Sequence, residues 1–308
     1  MMKTVTFKNK HIDISATIRY PKDFDENKSY AAIVCAHPIS SCKEQTSGTI
    51  YGEKLSEAGF ITLAFDASYQ GASGGEPRFL EDPATRVEDF RCAADYLSTL
   101  DYVNQDRIGV LGICGGGGYA VNAAMTERRF KAVASVVGVN YGRLMHEGDQ
   151  SADAAIKTLE AIAAQRTAEA RGADALITSY IPNSQQQREQ SGLHDIDIRE
   201  AVDYYTTARG QATGSPNKLR FSSLAAAVGF DAFHLADHLL TQPLQIVIAD
   251  IPGSFGSYRD GYELFNKAAS KEKNLFIVKG ASHYDLYDQP GPVAQALEKI
   301  IPFFQKHL

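Results

Sequence analysis

The stretch that most constrains the fold of this 308-residue chain runs from Arg107 to Met125 and has the sequence RIGVLGICGGGGYAVNAAM. Its first seven residues have the branched, apolar character of a buried strand. The residues after the four glycines have the small, apolar spacing of a helix packed on a sheet. The stretch therefore predicts a strand, a sharp turn and a helix, with Cys114 at the turn. Its centre, Gly-Ile-Cys-Gly-Gly, fits the G-x-S-x-G nucleophile elbow with a thiol in place of the hydroxyl, because the glycines allow a strained turn.

Such a turn places the Cys114 sulfur at a helix N-terminus. Unpaired amides and the helix dipole favour the thiolate there, so we expect a pKa below the ~8.5 of a free cysteine. Two other interpretations stay open, since a cysteine is often a small buried hydrophobe and glycines before a helix can bind a phosphate. A dinucleotide site is disfavoured, because Gly109, Gly112 and Gly115 do not follow the G-x-G-x-x-G spacing.

The composition narrows the class of ligand. A net charge of −6 with scattered charged residues provides no basic field for nucleic acid. The N-terminus alternates like a strand and resembles neither a signal peptide nor a membrane anchor, which predicts no membrane association and a cytoplasmic location. The four cysteines lack paired C-x-x-C spacing, so neither a disulfide framework nor a metal site is expected. We expect a small-molecule substrate and no cofactor, and the sequence leaves a homodimer open.

Strands and helices alternate on both sides of the cysteine turn. Continuous apolar runs are typical of strands covered on both faces. The predicted strands are residues 30–36, 60–65, 107–113, 131–139, 243–250 and 274–279, after two short alternating strands within 4–20. The predicted helices are residues 44–58, 83–100, 152–171, 196–209, 258–270 and 293–307. This alternation predicts an α/β fold with a doubly wound, mostly parallel sheet, in which residues 1–140 and 241–308 form the core and 141–240 an inserted helical cap.

Partners for the cysteine are expected at the ends of later strands. In folds built around a nucleophile elbow, an acid and then a histidine follow the nucleophile along the chain. His283 lies in the loop between the last predicted strand and the last helix, where it is expected to take the thiol proton. Asp250 is the only carboxylate in the loop after the strand that follows the cap, and Asp285 is the alternative. An aspartate at the end of a strand also caps turns, so a structural role for Asp250 stays open.

The loop after the strand at 30–36 is the expected source of a second oxyanion donor. The first donor is the amide of Gly115, the residue after the nucleophile. Pro38 has no N–H, so Ile39 is the predicted second donor and Ser40 the alternative. His37 is interpreted as a brace for this loop, with a general-base role left open, and both His37 and Ser40 are candidates for substrate contact.

Other polar side chains are candidates for substrate contact. Arg78 shares a loop region with Asp66 and Glu76, and such charges are usually paired with each other, so a substrate carboxylate on Arg78 is the second interpretation. Tyr204 in the predicted cap is a candidate for the roof of the pocket, although tyrosines on a helix also serve plain packing.

Several of these segments together resemble a known family. They are His37-Pro38, AFDASYQGASGGEPR (64–78), RIGVLGICGGGGYA (107–120), AVDYYTTARG (201–210) and GASHYDLYD (280–288). The set resembles bacterial α/β-hydrolases of the YcjY type, which are relatives of dienelactone hydrolase and of polyketide-transferase-like hydrolases. The resemblance covers nearly the whole chain. It implies an α/β-hydrolase fold with Cys114 and His283 in the nucleophile and base positions.

Two positions depart from the pattern of that family. Glycines usually follow the His-Pro pair, whereas this chain has Ile39-Ser40-Ser41. The usual acid a few residues beyond the strand is absent, which leaves Asp250 as a substitute by position. The expected activity is hydrolysis of a small ester, lactone or thioester through a cysteine acyl-enzyme. Acyl transfer by the same residues, or a non-catalytic binding protein on this fold, are the alternatives.

Overall fold

The computed structural model describes residues 1–147 and 152–308. Its main element is an eight-stranded sheet with the order β1-β2-β4-β3-β5-β6-β9-β10. The strands in chain order are β1 (Met2–Asn9), β2 (Ile12–Arg19), β3 (Tyr30–Ala36), β4 (Ile61–Phe65), β5 (Val103–Ile113), β6 (Phe130–Val136), β7 (Ile177–Thr178), β8 (Leu219–Arg220), β9 (Leu244–Ala249) and β10 (Lys273–Val278). Within this sheet β1 pairs antiparallel with β2 and β2 pairs antiparallel with β4, and the other five pairings are parallel. This confirms the predicted mostly parallel sheet.

Helices cover both faces of this sheet. In chain order they are α1 (Glu53–Glu57), α2 (Pro83–Ser98), α3 (Gly115–Thr126), α4 (Tyr141–His146), α5 (Ala152–Ala170), α6 (Gln185–Gln190), α7 (Ile196–Thr206), α8 (Leu224–Val228), α9 (Ala236–Leu239), α10 (Ser257–Lys267), α11 (Asp285–Asp288) and α12 (Pro290–His307). A π-helical turn at Thr46–Gly52 precedes α1, and a 3-10 turn at Phe221–Ser223 precedes α8. The doubly wound arrangement follows, with α2, α3 and α10 on one face and α1 and α12 on the other.

The continuous apolar run of β3 is explained by two separate cores. Ala32, Val34 and Ala36 point into one core, and Ile33 and Cys35 into the other. Both faces of the strand are therefore buried in apolar cores, which is why apolar and polar residues do not alternate along it.

The segment predicted as a cap packs on the core without joining its sheet. Its described residues add no strand to the eight-stranded sheet, and β7 and β8 pair only with each other. Ala201 and Val202 belong to one buried cluster with Ile113 of β5, and Ala232 and Phe233 belong to the other cluster with Tyr119 of α3. The predicted boundaries of the cap stay a prediction. No helix among the described residues is long and apolar enough to span a bilayer.

Candidate active site

Cys114 lies at a strained turn between β5 and α3. Its backbone has φ 53° and ψ −127°, a left-handed conformation that costs energy in any residue with a side chain. The turn is tight, because a Cβ on Gly112 would lie 2.2 Å from the carbonyl oxygen of Gly116. A Cβ on Gly116 would lie 2.5 Å from the carbonyl oxygen of His37. These contacts explain why glycine stands two residues before and two residues after the cysteine.

Hydrogen bonds from the neighbouring strand hold this turn. The amide of Cys114 donates to the carbonyl of Val136 at 3.0 Å. Its carbonyl accepts from the amides of Gly117 at 2.8 Å and Val139 at 2.9 Å. The backbone that carries the sulfur is thus fixed from both sides, as a preorganised site requires.

Two backbone amides face the Cys114 sulfur. They belong to Gly115 and Ile39, and their contact lowers the pKa of the thiol. The two residues touch, since a Cβ on Gly115 would lie 2.4 Å from Cγ1 of Ile39. The structure therefore brings the amides of the two residues predicted as oxyanion donors together at the sulfur, and their role as donors stays a prediction.

The Cys114 thiol is neutral in this structure, which corrects the expected thiolate. Burial raises its pKa to about 11, and the nearby Asp197 carboxylate adds to the rise. The contacts with Tyr287, Gly115 and Ile39 lower the pKa by less. The helix N-terminus is present as predicted, but a residue that is only 7% exposed loses more from desolvation than the amides return.

His283 follows β10 and is buried beside the cysteine turn. Its Nδ1 lies 2.9 Å from the hydroxyl of Ser257, at the start of α10. Its Nε2 lies 3.3 Å from the hydroxyl of Tyr287. Burial lowers the pKa of His283 to about 3, so the imidazole is neutral as well.

The hydroxyl of Tyr287 connects His283 with Cys114. It lies against the sulfur, and the contact lowers the pKa of the thiol and raises the pKa of the phenol. The predicted nucleophile and base therefore share one buried cluster, each in contact with the same hydroxyl. Sequence reasoning missed Tyr287, although it stands in the same GASHYDLYD segment as the histidine.

Asp250 does not occupy the position predicted for the acid. Its carboxylate accepts a hydrogen bond from the amide of Gly280 at 2.6 Å, at the ends of β9 and β10. The alternative, Asp285, accepts from the amide of Ser282 at 2.9 Å. Both carboxylates cap local backbone, and Nδ1 of His283 is bonded to Ser257 instead. The strand order located the correct loop but could not reveal which side chain of it turns toward the imidazole.

Asp197 is the carboxylate whose charge raises the pKa of the Cys114 thiol, and the sequence did not predict it. It stands in the first turn of α7 and is buried. One of its oxygens accepts from the amide of Phe255 at 2.9 Å. Since it comes from the predicted cap, no rule based on strand order could find it.

Aromatic rings close the site from above. Tyr204 and Tyr205 of α7 pack against Tyr284 and Tyr287. The ring centroids of Tyr284 and Tyr287 are 4.4 Å apart, and those of Tyr204 and Tyr287 are 5.1 Å apart. The hydroxyl of Tyr204 contacts the amide of Thr46, which lowers its pKa against the larger effect of burial. Tyr204 therefore packs within this roof, and its contact with a substrate stays a prediction. The roof leaves His283 1% exposed.

His37 braces the loop and is not available to a substrate, which corrects its assignment as a binding residue. Its Nδ1 bonds the carbonyl of Pro38 at 2.7 Å, and its Nε2 accepts from the amide of Ala67 at 3.1 Å. Burial and the positive charge of Arg86 hold its pKa well below its usual value. Both ring nitrogens are thus committed to backbone.

Arg78 and Ser40 also make local contacts. The guanidinium of Arg78 donates to the carbonyls of Ser73 and of Gly71, the latter at 2.8 Å, so it holds its own loop, and its contact with a substrate stays a prediction. The carbonyl of Ser40 accepts from the hydroxyl of Ser215, and its backbone is left-handed with φ 63°. A contact between the Ser40 hydroxyl and a substrate stays a prediction.

A buried ion pair supports the oxyanion loop from behind. Arg86 of α2 donates from Nη2 to the carbonyl of His37 at 3.1 Å, and its Nη1 lies 3.6 Å from Glu81. Glu81 also accepts from the hydroxyl of Tyr119 at 2.9 Å and from Gln70 at 2.6 Å. A cavity of about 460 Å³ opens on the other side of Glu81 and does not include Cys114.

The described residues hold one group with metal-ligand character outside this site, formed by Cys42, Glu44 and Asp66. The ammonium of Lys43 lies 2.7 Å from a carboxylate oxygen of each of the two acids. The ammonium of Lys43 offsets the charge of these carboxylates, so Asp66 is in a salt bridge, but its partner is Lys43 and not Arg78 as predicted.

Comparison with known proteins gives a consistent result. A family model for the prolyl oligopeptidase family matches residues 53–173. The YcjY protein of Escherichia coli K12, whose function is uncharacterised, is 42% identical over 312 residues, with 100% of each chain covered. The crystal structure of the hypothetical protein PA2218 from Pseudomonas aeruginosa superimposes with a TM-score of 0.90 at 30% identity, covering 100% of this chain and 94% of the other.

More distant fungal relatives are named after enzyme activities. The acyltransferase drtE of Aspergillus calidoustus is 24% identical over 88% of this chain and 85% of its own length. A thiohydrolase of Eupenicillium brefeldianum is 22% identical over 84% of this chain and 81% of its own length.

Proposed function

Because this chain belongs to the α/β-hydrolase family that includes YcjY and PA2218, we propose that it is an acyl hydrolase with Cys114 as its nucleophile. The proposed substrate is a small thioester, ester or lactone. The observation that carries the proposal is the strained turn at Cys114, whose sulfur faces the amides of Gly115 and Ile39. Backbone strain of this kind persists where the surrounding structure holds it, and it collects at active sites.

The proposed reaction has two steps. In the first, the Cys114 sulfur attacks the carbonyl carbon while His283 receives the thiol proton, and the amides of Gly115 and Ile39 stabilise the oxyanion. The bond to the leaving group then breaks, and the proton from His283 goes to that group. In the second, water attacks the acyl-cysteine, His283 takes one proton from the water, and the sulfur leaves with that proton as the acid is released.

The neutral thiol and neutral imidazole favour activated acyl groups as substrates. A thiol with a pKa of about 11 provides little thiolate at neutral pH, so attack requires proton transfer in the same step. Thioesters and aryl esters are the acyl donors most easily attacked under that condition, and a fungal relative is named a thiohydrolase. The aromatic roof and the side chain of Ile39 favour a short, apolar acyl group.

Acyl transfer is the second candidate, and the closure of the site favours it. Cys114 is 7% exposed and His283 1%, so substrate reaches the sulfur only when the side chains above it move. A site that recloses over the acyl-enzyme excludes water and leaves an amine, alcohol or thiol as the better acceptor. A fungal relative at 24% identity is named an acyltransferase.

The test is an assay of wild type, Cys114→Ala and His283→Ala with p-nitrophenyl butyrate and with an S-phenyl thioester. We expect both variants to lose the activity and wild type to form an acyl adduct on the Cys114 peptide by mass spectrometry. Cys92→Ala is the matched control, since Cys92 lies on α2 away from this site. Activity that survives both the Cys114 and the His283 changes would refute the proposal. Product analysis with an added alcohol or amine separates transfer from hydrolysis.

A further inference from the structure

Tyr287 stands in the short helix α11, four residues after His283. Its hydroxyl lies 3.3 Å from Nε2 of the imidazole, and the two rings have centroids 5.4 Å apart. Tyr287 and Cys114 belong to one buried cluster, and a hydrogen-bond contact with the phenol lowers the pKa of the thiol. The side of the imidazole that should meet the thiol thus meets a phenol.

The position of this hydroxyl is fixed by its surroundings. The ring of Tyr287 is fully buried and packs on Tyr284 at 4.4 Å. Its carbonyl accepts from the hydroxyl of Thr46 at 2.7 Å, and the neighbouring carbonyl of Leu286 accepts from the hydroxyl of Tyr51 at 2.8 Å. A side chain held from three directions is suited to a positional role in chemistry.

On the basis of the proposed function, we propose that Tyr287 is a catalytic residue whose hydroxyl relays the proton between the Cys114 sulfur and Nε2 of His283. As the sulfur forms its bond to the carbonyl carbon, the S–H proton passes to the phenol oxygen. The phenol proton passes at the same time to Nε2, which gives an imidazolium and leaves the phenol neutral. When the bond to the leaving group breaks, the proton on Nε2 passes to that group, either directly or through the phenol hydroxyl.

The hydrogen bonds of the imidazole agree with this direction of transfer. In the tautomer with its proton on Nδ1, the Ser257 oxygen at 2.9 Å accepts that proton and the lone pair of Nε2 faces Tyr287. Neither the thiol nor the imidazole is ionised at neutral pH, because burial disfavours both charges. A concerted relay avoids forming an isolated thiolate in this enclosed site.

The alternative role for Tyr287 is a steric barrier that keeps the thiol and the imidazole apart until substrate arrives. The two roles predict opposite results for Tyr287→Phe, which keeps the ring and removes the hydroxyl. A relay loses its proton path. A barrier becomes weaker and lets the imidazole approach the sulfur.

The experiment measures the burst of p-nitrophenol from p-nitrophenyl butyrate in wild type and Tyr287→Phe, in H₂O and in D₂O. We expect the acylation rate of the variant to fall about 100-fold, as for loss of a proton-transfer group, with KM little changed. The solvent isotope effect and the proton inventory of wild type should indicate more than one proton in flight. The isotope effect and proton inventory of Tyr287→Phe should indicate a single proton.

Tyr20→Phe is the control, because it removes a largely buried hydroxyl that is bonded to Tyr102 and contacts neither the sulfur nor the imidazole. It should acylate at the wild-type rate. An unchanged or faster burst in Tyr287→Phe overturns the relay, as does an equal loss in Tyr20→Phe. Failure of the proposed function is a different result, namely an active Cys114→Ala enzyme.

Discussion

The hydroxyl of Ser257 lies 2.9 Å from Nδ1 of His283, at the position where the sequence predicts a carboxylate. A hydroxyl orients the imidazole and selects its tautomer, but it carries no charge to stabilise an imidazolium. No charge on Ser257 offsets the cost of burying an imidazolium, so burial lowers the pKa of His283 to about 3. A base with such a low pKa accepts a proton only as the bond to the substrate forms.

Ser257→Ala should reduce kcat about tenfold, because one hydrogen bond that positions the imidazole is worth about 1.4 kcal/mol. KM should change little, since Ser257 contacts the histidine and not the sulfur. Steady-state assays with a p-nitrophenyl ester measure both constants.

Asp250→Asn is the comparison for that variant, since its carboxylate caps the amide of Gly280. We expect its kcat to stay within about twofold of wild type, as for a hydrogen bond remote from the chemistry. If Asp250→Asn loses more activity than Ser257→Ala, the carboxylate acts on the imidazole after all.

The sequence was sufficient for the fold and for the centre of the site. The periodicity of apolar residues and the order of strands and helices along the chain predicted the parallel sheet, the turn at Cys114 and the loop of His283. Each of these features depends on local backbone preference. The contacts around the imidazole depend on which side chains of Ser257, Asp250 and Tyr287 turn inward. That choice is made by packing of distant segments, which spacing along the chain does not encode.

The protonation of the thiol illustrates the same limit. The helix N-terminus at Cys114 was predicted correctly, but the roof of tyrosines from α7 and α11 was expected only in part. Enclosure by that roof reverses the sign of the pKa shift. The rule that a helix N-terminus favours a thiolate therefore predicted the geometry at Cys114 correctly and the ionisation of its thiol wrongly.

Alkylation of Cys114 by iodoacetamide should accelerate with pH up to about 11, because burial raises the pKa of this thiol to about that value. The thiolate is the reacting species, so the rate follows its fraction. Mass spectrometry of the Cys114 peptide against pH measures it, with Cys114→Ser reporting labelling of the other cysteines. A rate that reaches its plateau below pH 8 would contradict the neutral thiol.

Gly115→Ala should displace the oxyanion loop, because the added Cβ would lie 2.4 Å from Cγ1 of Ile39. The backbone of Gly115 does not have positive φ, so strain at residue 115 is not the cause. We expect kcat to fall about tenfold or more, since complete loss of one oxyanion donor costs about 10²–10³.

The double variant Gly115→Ala/Ile39→Ala tests that explanation. Removing the Ile39 side chain opens the space and keeps its amide, so most of the lost activity should return. Ile39→Ala alone measures the effect of the side chain itself. A double variant as slow as Gly115→Ala would show that the contact is not responsible.

His283→Asn should make the protein less sensitive to acid unfolding. The folded pKa of about 3 lies below the unfolded value of 6.5, so between these values the unfolded chain binds a proton that the folded chain does not. This contribution to stability is complete above pH 6.5 and is lost as the pH falls toward 3. The free energy of unfolding of wild type should therefore fall relative to the variant by about 1.4 kcal/mol per pH unit.

The difference between the two proteins isolates this one group. Burial also raises the pKa of Asp89 and of Asp260 to about 6, which acts in the opposite direction, but both aspartates are present in both proteins and cancel. Urea unfolding at intervals from pH 7 to pH 4 gives the two free-energy curves. The exposed His11 provides the control, since His11→Asn changes a side chain that solvent reaches in the folded state. Parallel curves for wild type and His283→Asn would mean that the folded and the unfolded chain bind the His283 proton equally, which would contradict the lowered pKa of the imidazole.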